Sequence, residues 1–212
     1  MQTLDRQRRF VAYAAAGIAG FVDATGFLAA NGYFVSFMSG NTTRLGADLA
    51  TSLKIAWFPA MLIAGFVVGV TVGAVLAEIA GTRRKVAVLA LTAGLLALAA
   101  GGAMLVWPIL AVMLLLVLAM GVLNNTFQRS GEVAVGLTYM TGALVRMGQG
   151  IASRLSGRGD DSWIAWLALW VALATGAVCG AITWRAIGMA GLWVPATAAG
   201  LLAAFAGRIR AS

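Results

Sequence analysis

The chain has 212 residues, of which 61% are hydrophobic and only 10% charged, whereas soluble domains average about 25% charged. That composition excludes an ordinary water-soluble fold and predicts a single all-α transmembrane domain over residues 1–212. The net charge is +8, from 15 Lys and Arg against 7 Asp and Glu. It does not point to nucleic acid, because the basic residues stand at the ends of apolar runs, where they orient a chain in a bilayer. With no histidine and one cysteine, Cys179 inside an apolar run, ordinary zinc, haem and iron–sulfur sites and an intrachain disulfide are excluded, so no cofactor is expected.

A hydrocarbon core of about 30 Å takes about 20 helical residues. Six stretches meet this in chain order: Phe10 to Ala30, Ala56 to Ala80, Val86 to Val106, Ile109 to Phe127, Trp163 to Trp184 and Met189 to Gly207. The first follows Arg6, Arg8 and Arg9 as a signal peptide would. Its apolar run is long and no convincing small-residue cleavage site follows, so it is read as a first helix.

Between these stretches, Asn31 to Leu53 and Ser130 to Arg158 are too polar for lipid-facing spans and too apolar for solvated loops. They are expected to be short re-entrant or broken segments. The first contains FVSFMSGNTTRLG and the second GLTYMTGALVRMG, so that Met38, Gly40, Arg44 and Gly46 match Met140, Gly142, Arg146 and Gly148. Ser36, Phe37 and Ser39 meet Thr138, Tyr139 and Thr141. With one residue of slippage, Gly20, Asp23 and Thr25 match Gly121, Asn124 and Thr126, and downstream Gly69 and Gly73 match Gly176 and Gly180. The chain thus reads as two copies of one unit, about residues 8–107 and 108–208, as in many transporter folds.

Cytoplasmic loops are enriched in Lys and Arg. Placing Arg6, Arg8 and Arg9 inside also places Arg83, Arg84 and Lys85, then Arg129, Arg154 and Arg158, then Arg208 and Arg210 inside, provided that the polar segments do not cross. Both termini are then cytoplasmic and the halves inverted, because three spans per half is an odd number. Arg185 on the outer side is the exception.

The stretch GFVDATGFLAANGYFVSFMSGNTTRLG, Gly20 to Gly46, resembles the signature of the YoaK-like family of bacterial inner-membrane proteins (domain of unknown function 1275). Length, six apparent spans and the weaker second MTG motif extend the resemblance over essentially the whole chain. It implies a multi-pass inner-membrane protein and carries no substrate with it.

Function must therefore come from the residues. Asp23 lies about 20 Å along the first helix, beyond the bilayer midplane, where a carboxylate costs at least about 2.5 kcal/mol. It should face protein or a water-filled cavity, either as a proton or substrate site or as a structural partner for Asn41, Arg44 or a helix end. Arg44 and Arg146 hold equivalent places, reading either as anion contacts or as interfacial arginines. Ser39, Asn41, Thr42 and Thr43 put polar ligands in the first half where the second has Ala143, Leu144 and Val145. The Asn41 to Thr43 glycosylation pattern is read as coincidence. Asn124, Asn125, Gln128 and Glu132 form a second polar cluster, read as a cavity wall or as helix caps. Gly65, Gly69 and Gly73, like Gly176 and Gly180, make small-residue faces for packing within the chain, a homodimer seam being the alternative.

Two classes of function follow. One is a small secondary transporter or channel for an anionic or zwitterionic solute, with Asp23 as the candidate proton site. The other is a non-transporting membrane module that binds lipid or a partner subunit. A membrane enzyme is disfavoured, since no histidine, reactive cysteine setting or paired-carboxylate motif is present.

Overall fold

The computed structural model describes residues 5–129, 132–133, 140–157, 159, 161 and 163–209, with 128, 129, 132 and 133 described by backbone alone. The helices are α1 (Arg6–Ala29), α2 (Met38–Thr51), α3 (Leu53–Ala80), α4 (Arg84–Met104), α5 (Ile109–Leu123), α6 (Met140–Leu155), α7 (Trp163–Ile187) and α8 (Trp193–Arg208). A two-residue antiparallel pairing joins Gln128–Arg129 to Glu132–Val133. The six apolar stretches read from the sequence correspond to α1, α3, α4, α5, α7 and α8. The two polar segments hold the shorter α2 and α6, each starting at the methionine of its repeated motif.

Local chemistry sets the ends. Asp5 caps α1 by accepting the Arg8 amide at 2.7 Å, and Ser52 caps α3 by accepting the Lys54 amide at 3.2 Å. Past α1 the chain turns through Asn31 and Gly32 at φ 52° and 93°, a left-handed turn that the glycine makes without strain. Gly81 at φ 52° and Gly188 at φ 60° break the two longest helical runs, Leu53–Met104 and Trp163–Arg208. Among the described residues, four stretches are long and apolar enough to cross a bilayer: these two, Arg6–Ala29 and Ile109–Thr126.

The halves exchange helices. α1 packs on α7, α3 on α5, and α4 on α8, so each long contact joins one repeat to the other. The first two run backbone to backbone through glycine. A Cβ on Gly20 would strike the backbone of Leu173, one on Gly176 that of Gly17, and one on Gly180 that of Phe21. In the matching seam a Cβ on Gly69 would lie 2.5 Å from the Leu118 carbonyl oxygen, while one on Gly121 would strike Phe66 and Val70. The glycine faces are thus filled from within the chain.

In both seams the contacts advance together along the two helices, so α1 is parallel to α7 and α3 to α5. Val86 instead meets Gly207 and Ala93 meets Gly200, making α4 and α8 antiparallel. Phe10 at the start of α1 packs on Phe205 near the end of α8 with ring centroids 5.4 Å apart. Lys85 at the start of α4 sits 5.6 Å over the Phe127 ring and within electrostatic reach of Arg8. One end of the bundle thus gathers the start of α1, the α3–α4 turn, the end of α5 and the end of α8.

The core is made of small and flexible residues: Ala12, Ala15, Ala16 and Ala19 of α1, Leu96 of α4, and Met113, Leu116 and Met120 of α5 are all fully buried. By contrast, α3 and α7 turn Val67, Val72, Val75 and Ile79, and Val171, Val178 and Ile182, outward. Apolar residues on both the inner and the outer face are what a lipid environment requires.

The seams make a testable forecast. Gly69→Ala should lower the Tm of the detergent-solubilised protein, overpacking a close backbone contact by about 1–3 kcal/mol. Gly94→Ala, where a Cβ meets open space, should leave Tm unchanged or raise it by about 0.5–1 kcal/mol of helix propensity. Equal effects at both positions would contradict the seam.

Candidate functional site

Past its turn at Asn31 and Gly32, the chain folds back along α1 before α2 begins. A reversal of this kind leaves backbone amides without helical partners, and two side chains supply them. The Val35 and Ser36 amides both donate to Asp23 Oδ1 at 2.8 Å. Asn41, fully buried, accepts the Phe34 amide at 2.9 Å and donates to the Phe34 carbonyl at 2.7 Å. Asp23 and Asn41 therefore grip the returning strand from both sides.

The rest of that face of α2 serves the same strand. Asn41, Arg44 and Asp48 recur at i, i+3 and i+7 and so share one side of the helix. The Arg44 guanidinium lies 5.2 Å over the Tyr33 ring, and the Tyr33 hydroxyl donates to Asp48 Oδ2 at 2.6 Å. That hydrogen bond, with burial, raises the Tyr33 pKa above the ordinary phenol value. Thr42 and Thr43 are exposed and return their hydroxyls to the carbonyls of Met38 and Ser39 in their own helix.

Between the two repeats lies a cleft of about 710 Å³. The first repeat lines it with the turn that starts α2, from Ser36 to Ser39, and with Phe66 of α3. The second contributes Met140, Thr141 and the stripe Gly142, Val145, Arg146 and Gln149 of α6, whose i, i+3, i+4, i+7 spacing is one face of a helix. Arg146 is exposed and stacks 4.8 Å over the Trp166 ring of α7. Among the described residues no carboxylate pairs with it, the ion pairs there being Arg8–Asp5 and Arg154–Asp161.

Of the residues singled out in the sequence, Ser39 and Arg146 line the cleft. Asp23 stands directly behind its wall, holding Ser36. Asn41, Thr42, Thr43 and Arg44 lie outside the lining, because their helix turns that face to the returning strand. Asn124 and Asn125 also lie outside it, at the buried end of α5. Asn124 donates to the Met120 carbonyl at 2.9 Å, and Asn125 reaches across to the Val70 carbonyl of α3 at 3.0 Å. The Gln128 and Glu132 side chains, with Thr138 and Tyr139, fall outside the described residues. Polar groups of both halves line the cleft, Ser36 and Ser39 from the first and Thr141, Arg146 and Gln149 from the second, and Val145 lines it rather than its counterpart Thr43. The lining missed in the sequence, Phe66, Val145 and Gln149 above all, carried one signal, the helical stripe from Gly142 to Gln149.

Apolar helices folded in this way define a multi-pass α-helical membrane protein. Comparison with known proteins agrees: residues 11–205 match the family model described as protein of unknown function (DUF1275), and the chain belongs to that family. It is also similar to UPF0700 transmembrane protein RA0705 of Rhizobium meliloti (strain 1021), 37% identical over 195 residues, 91% of this chain and 83% of that protein. No solved structure matches.

The grip on the returning strand can be tested directly. Asn41→Ala leaves both polar groups of Phe34 without their partner and should lower stability by about 1–3 kcal/mol. Thr43→Ala removes only an exposed back-bond and should change it by less than about 0.5 kcal/mol. Thermal unfolding of both variants in one detergent decides; equal losses would contradict the assignment.

Proposed function

We propose that the chain is a small transporter or channel of the bacterial inner membrane, moving a small anionic or zwitterionic solute through the cleft between its two halves. The observation that carries this reading is the cleft itself. Its walls come from the same motif in both repeats, Ser36 to Ser39 facing Met140 to Gln149, and its volume lies within the range of solute sites. Transporters with inverted halves bind at the interface of the repeats, beside broken helices.

The membrane layout that goes with it has six spans. The runs Leu53–Met104 and Trp163–Arg208 hold 52 and 46 residues, about 70–80 Å of straight helix at 1.5 Å per residue. A core of about 30 Å accommodates them only folded in two, at Gly81 and Gly188. Helix directions support inversion. α8 runs against α4 and α1, and the short Leu105 to Pro108 turn sends α5 back along α4, so α1 and its counterpart α5 point opposite ways. The clustering of Arg8, Arg84 and Lys85 near the end of α8 supports reading that face as the cytoplasmic one, the side on which the start of α1 and the end of α8 lie.

Arg146 favours a negative charge in the cleft, and the first turns of α2 and α6 open towards the same space, adding the positive ends of their dipoles. Asp23 is the proton site in this reading. It touches the cleft wall through Ser36, so that loss of its charge would loosen the wall. The other reading is a non-transporting module that holds a lipid, favoured by the apolar part of the lining, Phe37, Met38, Phe66, Met140 and Val145.

Flux in proteoliposomes separates these readings. Thr141→Trp fills the cleft and should abolish solute movement with Tm retained, whereas Thr42→Trp, outside it, should not. Asp23→Asn keeps an oxygen for the two amides, so the protein should stay folded while the pH dependence of flux disappears. Unchanged flux in Thr141→Trp would exclude the cleft as the pathway, and an unaltered pH profile in Asp23→Asn would end the coupling role.

The layout has its own test. In a Cys179→Ser background, single cysteines at Ser52 and Ser156 should be labelled by a membrane-impermeant maleimide from opposite faces. Labelling of both from one face would rule out inverted halves.

A further inference from the structure

Resting on the cleft as the solute site, we infer that its ligand is an organic monoanion with an apolar body, and that the site discriminates against zwitterions. The described lining holds a single charge, the Arg146 guanidinium. It lies 4.8 Å over the Trp166 ring on an exposed residue. A guanidinium presents paired N–H groups that match a carboxylate. Thr141, five residues before Arg146 on α6, Gln149, three residues after it, and Ser39 across the cleft add neutral hydrogen-bonding groups.

Among the described residues nothing comparable awaits a positive charge, and the carboxylates there are engaged or remote from the cleft. Asp5 pairs with Arg8 and Asp161 with Arg154. Asp48 accepts from Tyr33, and Glu78 is exposed near the α3–α4 turn. Asp23 is the nearest along the chain to the wall, and the oxygen it turns that way already accepts two amides. An ammonium brought into the cleft would lose water without gaining a counter-charge.

The remaining wall is apolar, made by Phe37, Met38, Phe66, Met140 and Val145. A bare inorganic anion would leave that surface and most of the 710 Å³ unused, whereas a branched or aromatic body would cover it. Two unbranched methionines facing each other also let the wall adapt to bodies of different shape. The inferred preference is therefore for the acid's charge at Arg146 and its body against the methionines and phenylalanines.

Matched pairs of probes isolate the ammonium: 3-phenylpropanoate against phenylalanine, and 4-methylpentanoate against leucine, with chloride and phosphate as inorganic controls. Binding to the purified full chain in detergent is measured by calorimetry, and uptake of the same compounds in proteoliposomes. Each acid should bind about tenfold or more tighter than its amino acid, and Arg146→Gln should weaken acid binding about tenfold or more with Tm of the free protein unchanged. Arg146→Lys, which keeps the charge and loses the fork, should fall between. The inference is overturned if the amino acids bind as well as the acids, if chloride or phosphate competes equally, if Arg146→Gln has no effect, or if none of the four organic probes binds. It is also overturned if Arg146→Gln changes only the retention of phosphatidylglycerol, which would make the occupant a lipid. Uptake keeps the two readings apart: acids that bind selectively without crossing would sink transport and leave the inference standing, and amino acids that cross through Arg146→Gln unimpaired would do the reverse.

Discussion

Inside a bilayer a backbone amide has no water to bond to, and every departure from helix must find its partners within the protein. Polar side chains can supply those partners where a helix is left, and Asp23 and Asn41 do so here. Where the chain doubles back after α1, the Asp23 carboxylate takes the amides of Val35 and Ser36, and Asn41 takes both polar groups of Phe34. Tyr33 is fixed from the other side by Asp48 and Arg44. The returning strand, and with it the Ser36 to Ser39 wall of the cleft, stands where it does because these groups hold it.

A second constraint works at the level of whole helices. Lipid provides no hydrophobic drive for helices to associate, so close packing and polar contacts must do so. Glycine lets the backbones of α1 and α7, and of α3 and α5, approach until a single added carbon would collide. Each seam joins a helix of one repeat to one of the other. The halves are thereby interlocked, and a cleft bounded by both is a consequence of that exchange. The cross-helix bond from Asn125 to the Val70 carbonyl fastens the α3–α5 seam near its end.

The two polar segments, alike in sequence, are not equivalent in structure. In α2 the face carrying Asn41, Arg44 and Asp48 turns to its own returning strand, and the cleft receives only the first turn. In α6 the positions from Gly142 to Gln149 face the cleft along two turns. The matched arginines have accordingly parted: Arg44 stacks on Tyr33 as a structural cation, and Arg146 stacks on Trp166 at the rim of the cleft. The same helix start serves as an anchor in one half and as a wall in the other.

How much of this was legible in the sequence follows from the kind of signal each feature leaves. Apolar length and glycine spacing are properties of single helices, so all six long helices and the glycine faces of α3 and α7 could be read from order alone, as could the match of Met38 with Met140; which helix each face would meet could not. The partners of Asp23 and Asn41 could not. Both side chains reach main-chain atoms, and main-chain atoms are the same at every residue, so no pattern of side-chain types marks where they will be. The lining of the cleft was hidden for a related reason: Phe66 and Gln149 lie 83 residues apart in the chain, and only the crossing of α3, α6 and α7 brings them to one space. Sequence by itself determined which segments form long apolar helices and which are shorter and more polar, because hydropathy and helix length act locally. Which polar groups serve the backbone and which face the cleft was decided by tertiary structure, because that depends on the rotation of α2 and α6 against neighbours that the other half of the chain supplies.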